Sequence, residues 1–174
     1  LGLDFSIDLR ERFFSQITRT LYLGARPKEE QVQELKEAGI THVVSCLMGD
    51  DRSQMAFLQH EFHHLFLDVH DGMHQDIAGE FSEFFDFATA ATACDPKAKL
   101  FVHCEVGVSR SATLAIALLM KTEGLSFFDA LLRVREKRIQ ALPNIGFASQ
   151  LQRLEHELQP HSVTRAPSSL AQYL

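Results

Sequence analysis

The stretch Leu100-Phe101-Val102-His103-Cys104-Glu105-Val106-Gly107-Val108-Ser109-Arg110-Ser111-Ala112-Thr113 constrains this chain more than any other. It reads as a short buried strand, a turn carrying one cysteine and one arginine, and an apolar helix from about Ser111. A loop that runs into a helix N-terminus points unpaired backbone N–H groups at one spot, and the helix dipole adds partial positive charge there. A phosphate-sized dianion fits such a site. The loop amides and Arg110 favour the thiolate of Cys104 over its thiol. A thiolate facing a bound phosphate is a nucleophile facing its electrophile.

The rest of the chain supplies a scaffold of the right kind. Strand-like and helix-like segments alternate, which predicts an α/β fold with a central, mostly parallel sheet flanked by helices. Strands are expected over Ile17–Gly24, Ile40–Leu47, His60–Val69 and Lys99–His103, from β-forming runs that close on glycine or polar turns. Helices are expected from Pro27 to Gly39, from Ile77 to Ala93, from Ser111 to a stop at Gly124, from the capping box Ser126-x-x-Asp129 to Arg138, and from Phe147 to Leu158. Gly49-Asp50-Asp51 and Pro143-Asn144 read as turns, and Asp68 to Asp76 as a polar loop. The phenylalanines at 81, 84, 85 and 87 are read as core. One domain over residues 1–160 is expected, with residues 1–16 as an N-terminal extension that includes a helix over Asp8–Ser15, and residues 161–174 as a polar tail.

Charge and cysteine count narrow the function. A formal net charge of −6 means that no nucleic acid or anionic membrane is drawn in by the overall field, so an anion must be caught by a local site. The three cysteines, Cys46, Cys94 and Cys104, show no C-x-x-C pairing, so neither a disulfide framework nor a zinc site is expected. A reducing compartment suits them, cytoplasmic and extending to nuclear. The longest apolar run, Ala112 to Met120, is too short to span a bilayer, and neither a signal peptide nor a prenylation cysteine is read.

His103-Cys104-Glu105-Val106-Gly107-Val108-Ser109-Arg110-Ser111 matches the pattern H-C-x5-R-[S/T] and resembles the signature of cysteine-dependent protein phosphatases. The flanks resemble the dual-specificity branch: Leu-Phe-Val-His-Cys before the loop, Ser-Arg-Ser-Ala-Thr-Leu after it, and Pro143-Asn144-x-Gly146-Phe147 downstream. The resemblance runs from about Thr20 to about Glu157. It departs at Val106, where alanine is usual, and at Ile139, where a proline often follows the basic pair.

The resemblance implies the cysteine-phosphatase fold and a role for each loop residue. Cys104 attacks phosphorus and forms a phosphocysteine. Arg110 clamps two phosphate oxygens with its planar fork, a geometry that lysine does not reproduce. The amides from Glu105 through Val106, Gly107, Val108 and Ser109 to Arg110 hold the remaining oxygens. Gly107 permits the tight turn. Ser111 lies near the sulfur and helps it leave, while His103 shapes the loop from behind. No cofactor or metal is expected, and the partners implied are phosphorylated proteins, without nucleic acid or membrane. Oligomeric state is not legible.

A leaving oxygen needs a proton and the second-step water needs a base, so one carboxyl group on another loop must serve both. Asp68, Asp71 and Asp76 are the candidates. Asp71, 33 residues before Cys104, resembles the family's general acid, whereas Asp76 reads as an N-cap and Asp68 as a strand end. Strand geometry splits His63 from His64 across two faces, so the histidines around them are read as ordinary side chains. Cys46 reads as a buried thiol; some related phosphatases keep a cysteine under the loop that captures an oxidised nucleophile, which makes Cys46 the candidate for redox capture.

The expected activity is hydrolysis of phosphotyrosine and phosphoserine/threonine in proteins. Two other readings stay open: a phosphoprotein-binding pseudophosphatase or scaffold, and a phosphatase for a non-protein phosphate.

Overall fold

In the computed structural model, which describes residues 13–159, one five-stranded sheet runs through the molecule. The strands are β1 (Phe14–Gln16), β2 (Leu21–Gly24), β3 (His42–Leu47), β4 (His63–Asp68) and β5 (Leu100–His103), in the spatial order β1-β2-β5-β3-β4. All pairings are parallel except the edge pair of β1 with β2. The helices are α1 (Val32–Glu37), α2 (Ala56–Gln59), α3 (Phe81–Cys94), α4 (Arg110–Glu123), α5 (Phe127–Lys137) and α6 (Ile145–Leu158). The last strand in the chain therefore sits at the centre of the sheet, between β2 and β3. Ligand sites of open parallel sheets form beyond the carboxyl ends of the strands, where the strand order reverses. That is where β5 delivers Cys104.

Alternation along the strands divides the core into two layers. Leu23, Val44, Leu67 and Val102 face α3, α4, α5 and α6, whereas Tyr22, Val43, Phe66 and Phe101 face α1 and the segment after β3. Buried on both faces, these strands read as continuous apolar runs, which is why β3 and β5 stand out in the sequence. Helix α4 is buried along nearly its whole length, and its C-terminus closes on Gly124 in the left-handed conformation. Ser126 caps α5 by accepting from the Asp129 amide at 3.0 Å.

Four expectations are corrected. Residues up to 12 lie outside the described part, and Phe14 and Ser15, expected in a helix, form β1 instead. Phe14 gains more from burial against Tyr22 and Phe101 than a short helix turn offers. Strand β2 starts at Leu21 because the Thr18 hydroxyl accepts from the amides of Thr20 and Leu21 and turns the chain there. The turn expected at Gly49–Asp51 is the start of a 3-10 helix over Gly49–Met55 that continues into α2, driven by burial of Met55 and Leu58. Strand β4 begins at His63 rather than His60. Of the phenylalanines read as core, Phe81 and Phe84 are buried, while Phe85 and Phe87 pack against the core partly buried. The tail over 161–174 also lies outside the described residues. Within them, no helix is long and apolar enough to cross a membrane.

Candidate active site

Leu100, Phe101, Val102 and His103 are buried in β5, so the chain reaches Cys104 rigidly held, and Cys104 itself is 1% exposed. The next six residues curl into the N-terminus of α4, which begins at Arg110. What shapes the curl is a set of donors outside it. The Glu105 carbonyl accepts from the Arg26 amide at 3.1 Å and the Val108 carbonyl from the Leu142 amide at 2.8 Å. The Val106 carbonyl accepts from Arg138 Nη2 at 3.1 Å, and the Gly107 carbonyl from Arg138 Nε at 2.8 Å. Four successive carbonyls are thus drawn outward. In a trans peptide the N–H opposes the C=O, so the amides of Val106, Gly107, Val108 and Ser109 turn inward, toward the concave side. The loop is a nest of donors closed by a helix N-terminus.

Gly107 makes this possible. Its φ is +69°, and an added Cβ would lie 2.4 Å from the Gly24 carbonyl carbon and 2.7 Å from Arg138 Nη2. Any side chain there strains the backbone and pushes the loop off β2.

Two groups meet the concave side. Ser111 Oγ donates to Cys104 Sγ at 3.1 Å. Arg110 is nearly buried; its Nη1 donates to the Val69 carbonyl at 3.0 Å, and its Nε is buried without a hydrogen-bond partner among the described residues. A buried guanidinium donor left unpaired is costly unless an anion supplies the acceptor.

Asp71 comes from the loop after β4. Its Oδ1 accepts from Ser109 Oγ at 2.8 Å and from Asn144 Nδ2 at 2.8 Å. Ser109 Oγ in turn accepts from the Asn144 amide at 3.1 Å, and Asn144 Oδ1 caps α6 through the Phe147 amide at 2.9 Å. The carboxylate is therefore pinned to the rim of the loop. Asp76 instead accepts from the Gly79 amide at 3.1 Å; the N-cap expected there is corrected, since Ile77 holds the cap position of the 3-10 turn over Ala78–Glu80 and Glu80 that of α3, while Asp68 ends β4.

Behind the loop lies a buried polar chain. Ser45 Oγ is 2.7 Å from His103 Nε2 and 2.8 Å from His64 Nε2, while His103 Nδ1 is 3.4 Å from the Cys104 carbonyl. A carbonyl only accepts, so His103 Nδ1 carries the hydrogen and its Nε2 must accept from Ser45. Ser45 then accepts from a hydrogen on His64 Nε2. Burial holds both rings neutral, lowering His103 to about 3 and His64 to about 4, the latter helped by nearby Arg52. His63, on the opposite face, stacks on His42 with ring centroids 4.6 Å apart, so the expected split of the two histidines is present.

Ser45 and His103 are register partners on the adjacent strands β3 and β5, so the residues that follow them, Cys46 and Cys104, are neighbours across the sheet. Cys46 is wholly buried, and burial, reinforced by the charge of the Cys104 sulfur, pushes its thiol up. Cys94 is exposed at the end of α3, away from this cluster.

The structure thus brings Cys104, Ser111, Arg110, Ser109 and Asp71 together. Asn144, Arg138 and the Ser45–His64 pair were not singled out from the sequence for what they do here. Asn144 carried a signal, being part of the quoted Pro143-Asn144 flank. Arg138 carried only its place in the basic pair.

A strand-to-helix cysteine loop with its arginine, on this sheet, is accompanied by a match of residues 21–157 to the model for the dual specificity phosphatase catalytic domain. The chain belongs to the dual-specificity phosphatase family. Dual specificity protein phosphatase 1B of Arabidopsis thaliana is 33% identical over 145 residues, which cover 83% of this chain and 83% of that protein. Human dual specificity protein phosphatase 26 is 36% identical over 139 residues, covering 79% of this chain and 65% of that protein. Against dual specificity protein phosphatase 5 of Rattus norvegicus identity is 32%, and the matched part spans 88% of this chain but only 38% of the relative. Among solved structures, the human tyrosine phosphatase-like serine/threonine/tyrosine-interacting protein superposes with a TM-score of 0.76 at 30% identity, covering 84% of this chain and 98% of that one. Human DUSP28 superposes with a TM-score of 0.75 at 28% identity, covering 85% and 96%. As a dual-specificity phosphatase fold, the chain holds the expected mixed, mostly parallel sheet between helices.

Proposed function

We propose that this chain hydrolyses phosphotyrosine and phosphoserine/threonine in proteins through a phosphocysteine. The observation that carries the reading is the outward pull on four successive loop carbonyls, which aims the opposing amides at the space beside Cys104 Sγ and the unpaired Arg110 Nε.

In the first step the Cys104 thiolate attacks phosphorus in line; the S–P bond forms as the bond from phosphorus to the side-chain oxygen breaks. The equatorial oxygens gain charge stabilisation from the loop amides and Arg110, most strongly in the transition state. Asp71 gives its proton to the leaving oxygen. Both of its hydrogen bonds reach Oδ1, so Oδ2 is the oxygen that carries and releases that proton. In the second step water attacks the phosphocysteine, Asp71 Oδ2 takes the proton back, and the S–P bond breaks to release inorganic phosphate. The Ser111 hydroxyl, already directed at Sγ, stabilises the departing thiolate.

Turnover of an aryl phosphate by the wild type and by Cys104→Ser tests the mechanism, with a phosphopeptide panel to rank phosphotyrosine against phosphoserine and phosphothreonine. The expected result is turnover that disappears in Cys104→Ser. Equal, negligible rates in both overturn the enzymatic reading in favour of a phosphoprotein-binding role.

A further inference from the structure

Among the described residues seven large hydrophobic side chains are exposed, and four of them sit at 36% to 58% exposure on segments tied to the phosphate loop: Met73, Val106 and Leu142 on loops, and Ile145 at the start of α6. Single exposed apolar side chains are ordinary on any surface; four of them on segments tied to one phosphate loop are not. The segments that carry them are tied together. Leu142 donates its amide to Val108, and Asn144 holds Asp71, two residues before Met73. Gly146, beside Ile145, lies so close to the Met73 backbone that an added Cβ would fall 1.8 Å from its carbonyl oxygen. Rim and phosphate loop therefore form one surface.

The charge of this surface is one-sided. Apart from Arg110 and Arg138, the latter buried at 5% exposure and turned onto the Val106 and Gly107 carbonyls, the formally charged side chains on these loops are acidic: Glu105, Asp71 and Asp76. Glu105 is half-exposed beside Val106, and Arg26, the cation that reaches it, is held at 3.0 Å by both Glu105 and Asp51.

We propose that this rim is the peptide-binding surface of the site and selects singly phosphorylated segments whose neighbouring side chains are aliphatic or aromatic. The inference rests on the phosphatase reading above and adds the substrate class. With the phosphate in the loop, residues on either side of the phosphoresidue have to lie on Met73, Val106, Leu142 and Ile145. Apolar neighbours remove water from both surfaces. An acidic neighbour, or a second phosphate, gives up hydration beside Glu105 without gaining a cation.

The test compares kcat/KM for phosphotyrosine peptides that differ only in their flanks, one with Leu and Val, one with Asp and Glu, and one with a second phosphoresidue. The aliphatic peptide is expected to lead each of the others by about tenfold, chiefly through KM, the size of effect that one or two apolar contacts produce. In Met73→Ser/Ile145→Ser the lead is expected to shrink to about twofold. Taking the ratio of peptides within one variant cancels any loss of folded enzyme. Rates within twofold of one another in the wild type, or a lead that survives in the double variant, overturn the proposal. A small aryl phosphate run alongside separates the two readings: hydrolysis of it without flank preference removes the rim alone, whereas no hydrolysis of any substrate removes the phosphatase reading and the rim with it.

Discussion

The nucleophile side and the proton-donor side of the candidate site are built in opposite ways. Cys104, the loop amides, Arg110 and Ser111 come from eight consecutive residues. Asp71 reaches them only through partners 38 and 73 positions away in the chain, Ser109 and Asn144. The first half is rigid because a strand feeds it, a helix closes it and Arg138 grips it from outside. The second half is a carboxylate held by two hydrogen bonds at an exposed rim. A local motif can thus supply phosphate binding and the nucleophile, while proton transfer depends on three segments docking correctly.

Substitutions should separate the halves. Arg110→Lys keeps the charge but loses the fork, and kcat is expected to fall on the order of 10³ for every substrate, whatever its leaving group. A loss confined to poor leaving groups would place Arg110 in the wrong half. Asp71→Asn is expected to cost roughly 10² in kcat for phosphoserine peptides, yet less than tenfold for an aryl phosphate whose leaving oxygen needs no proton. Asn144→Ala, which removes one of the two anchors of Asp71, should show the same dependence on the leaving group at about tenfold or less. If Asn144→Ala slowed both substrate types equally, the rim network would be serving the phosphate loop instead, and the contrast between the halves would fail. Steady-state kinetics with one aryl phosphate and one phosphoserine peptide decide all three.

The same contrast explains what was legible in the sequence. The loop could be read residue by residue because its chemistry and its spacing are both local. The strands β3 and β5 announced themselves as apolar runs, and Ser126 and Gly124 as caps, because each is decided within a few residues. Arg138 was missed since its value lies in which carbonyls it reaches, 31 and 32 positions back along the chain. His64 was read as an ordinary side chain because nothing in His63-His64 says which ring turns toward Ser45. A helix reaching Ser15 fails at β1 since Phe13 and Phe14 take their positions from Phe101 and Tyr22, contacts absent from any local window.

The smallest expected effect concerns the polar chain behind the loop, and it tests whether that chain supports the nucleophile half. In the folded protein His64 titrates at about 4 and His103 at about 3, both below the ordinary value near 6.5. Between pH 6.5 and 4 the unfolded chain therefore binds protons that the fold excludes, so their contribution to stability is complete above about pH 6.5 and is lost as pH falls. His64→Gln keeps an Nε2–H donor for Ser45 and removes one of the two titrations. Its urea midpoint should depend on pH less steeply than that of the wild type, by up to one proton over this window, and should track the wild type above pH 7. His64→Leu removes the donor as well, frees Ser45 to turn away from His103, and is expected to lower kcat about threefold, the scale of one modest hydrogen bond, where His64→Gln leaves it unchanged. Equal rates in the Leu and Gln variants would show that the loop stands without the chain behind it, held from outside by Arg138 and the amides of Arg26 and Leu142.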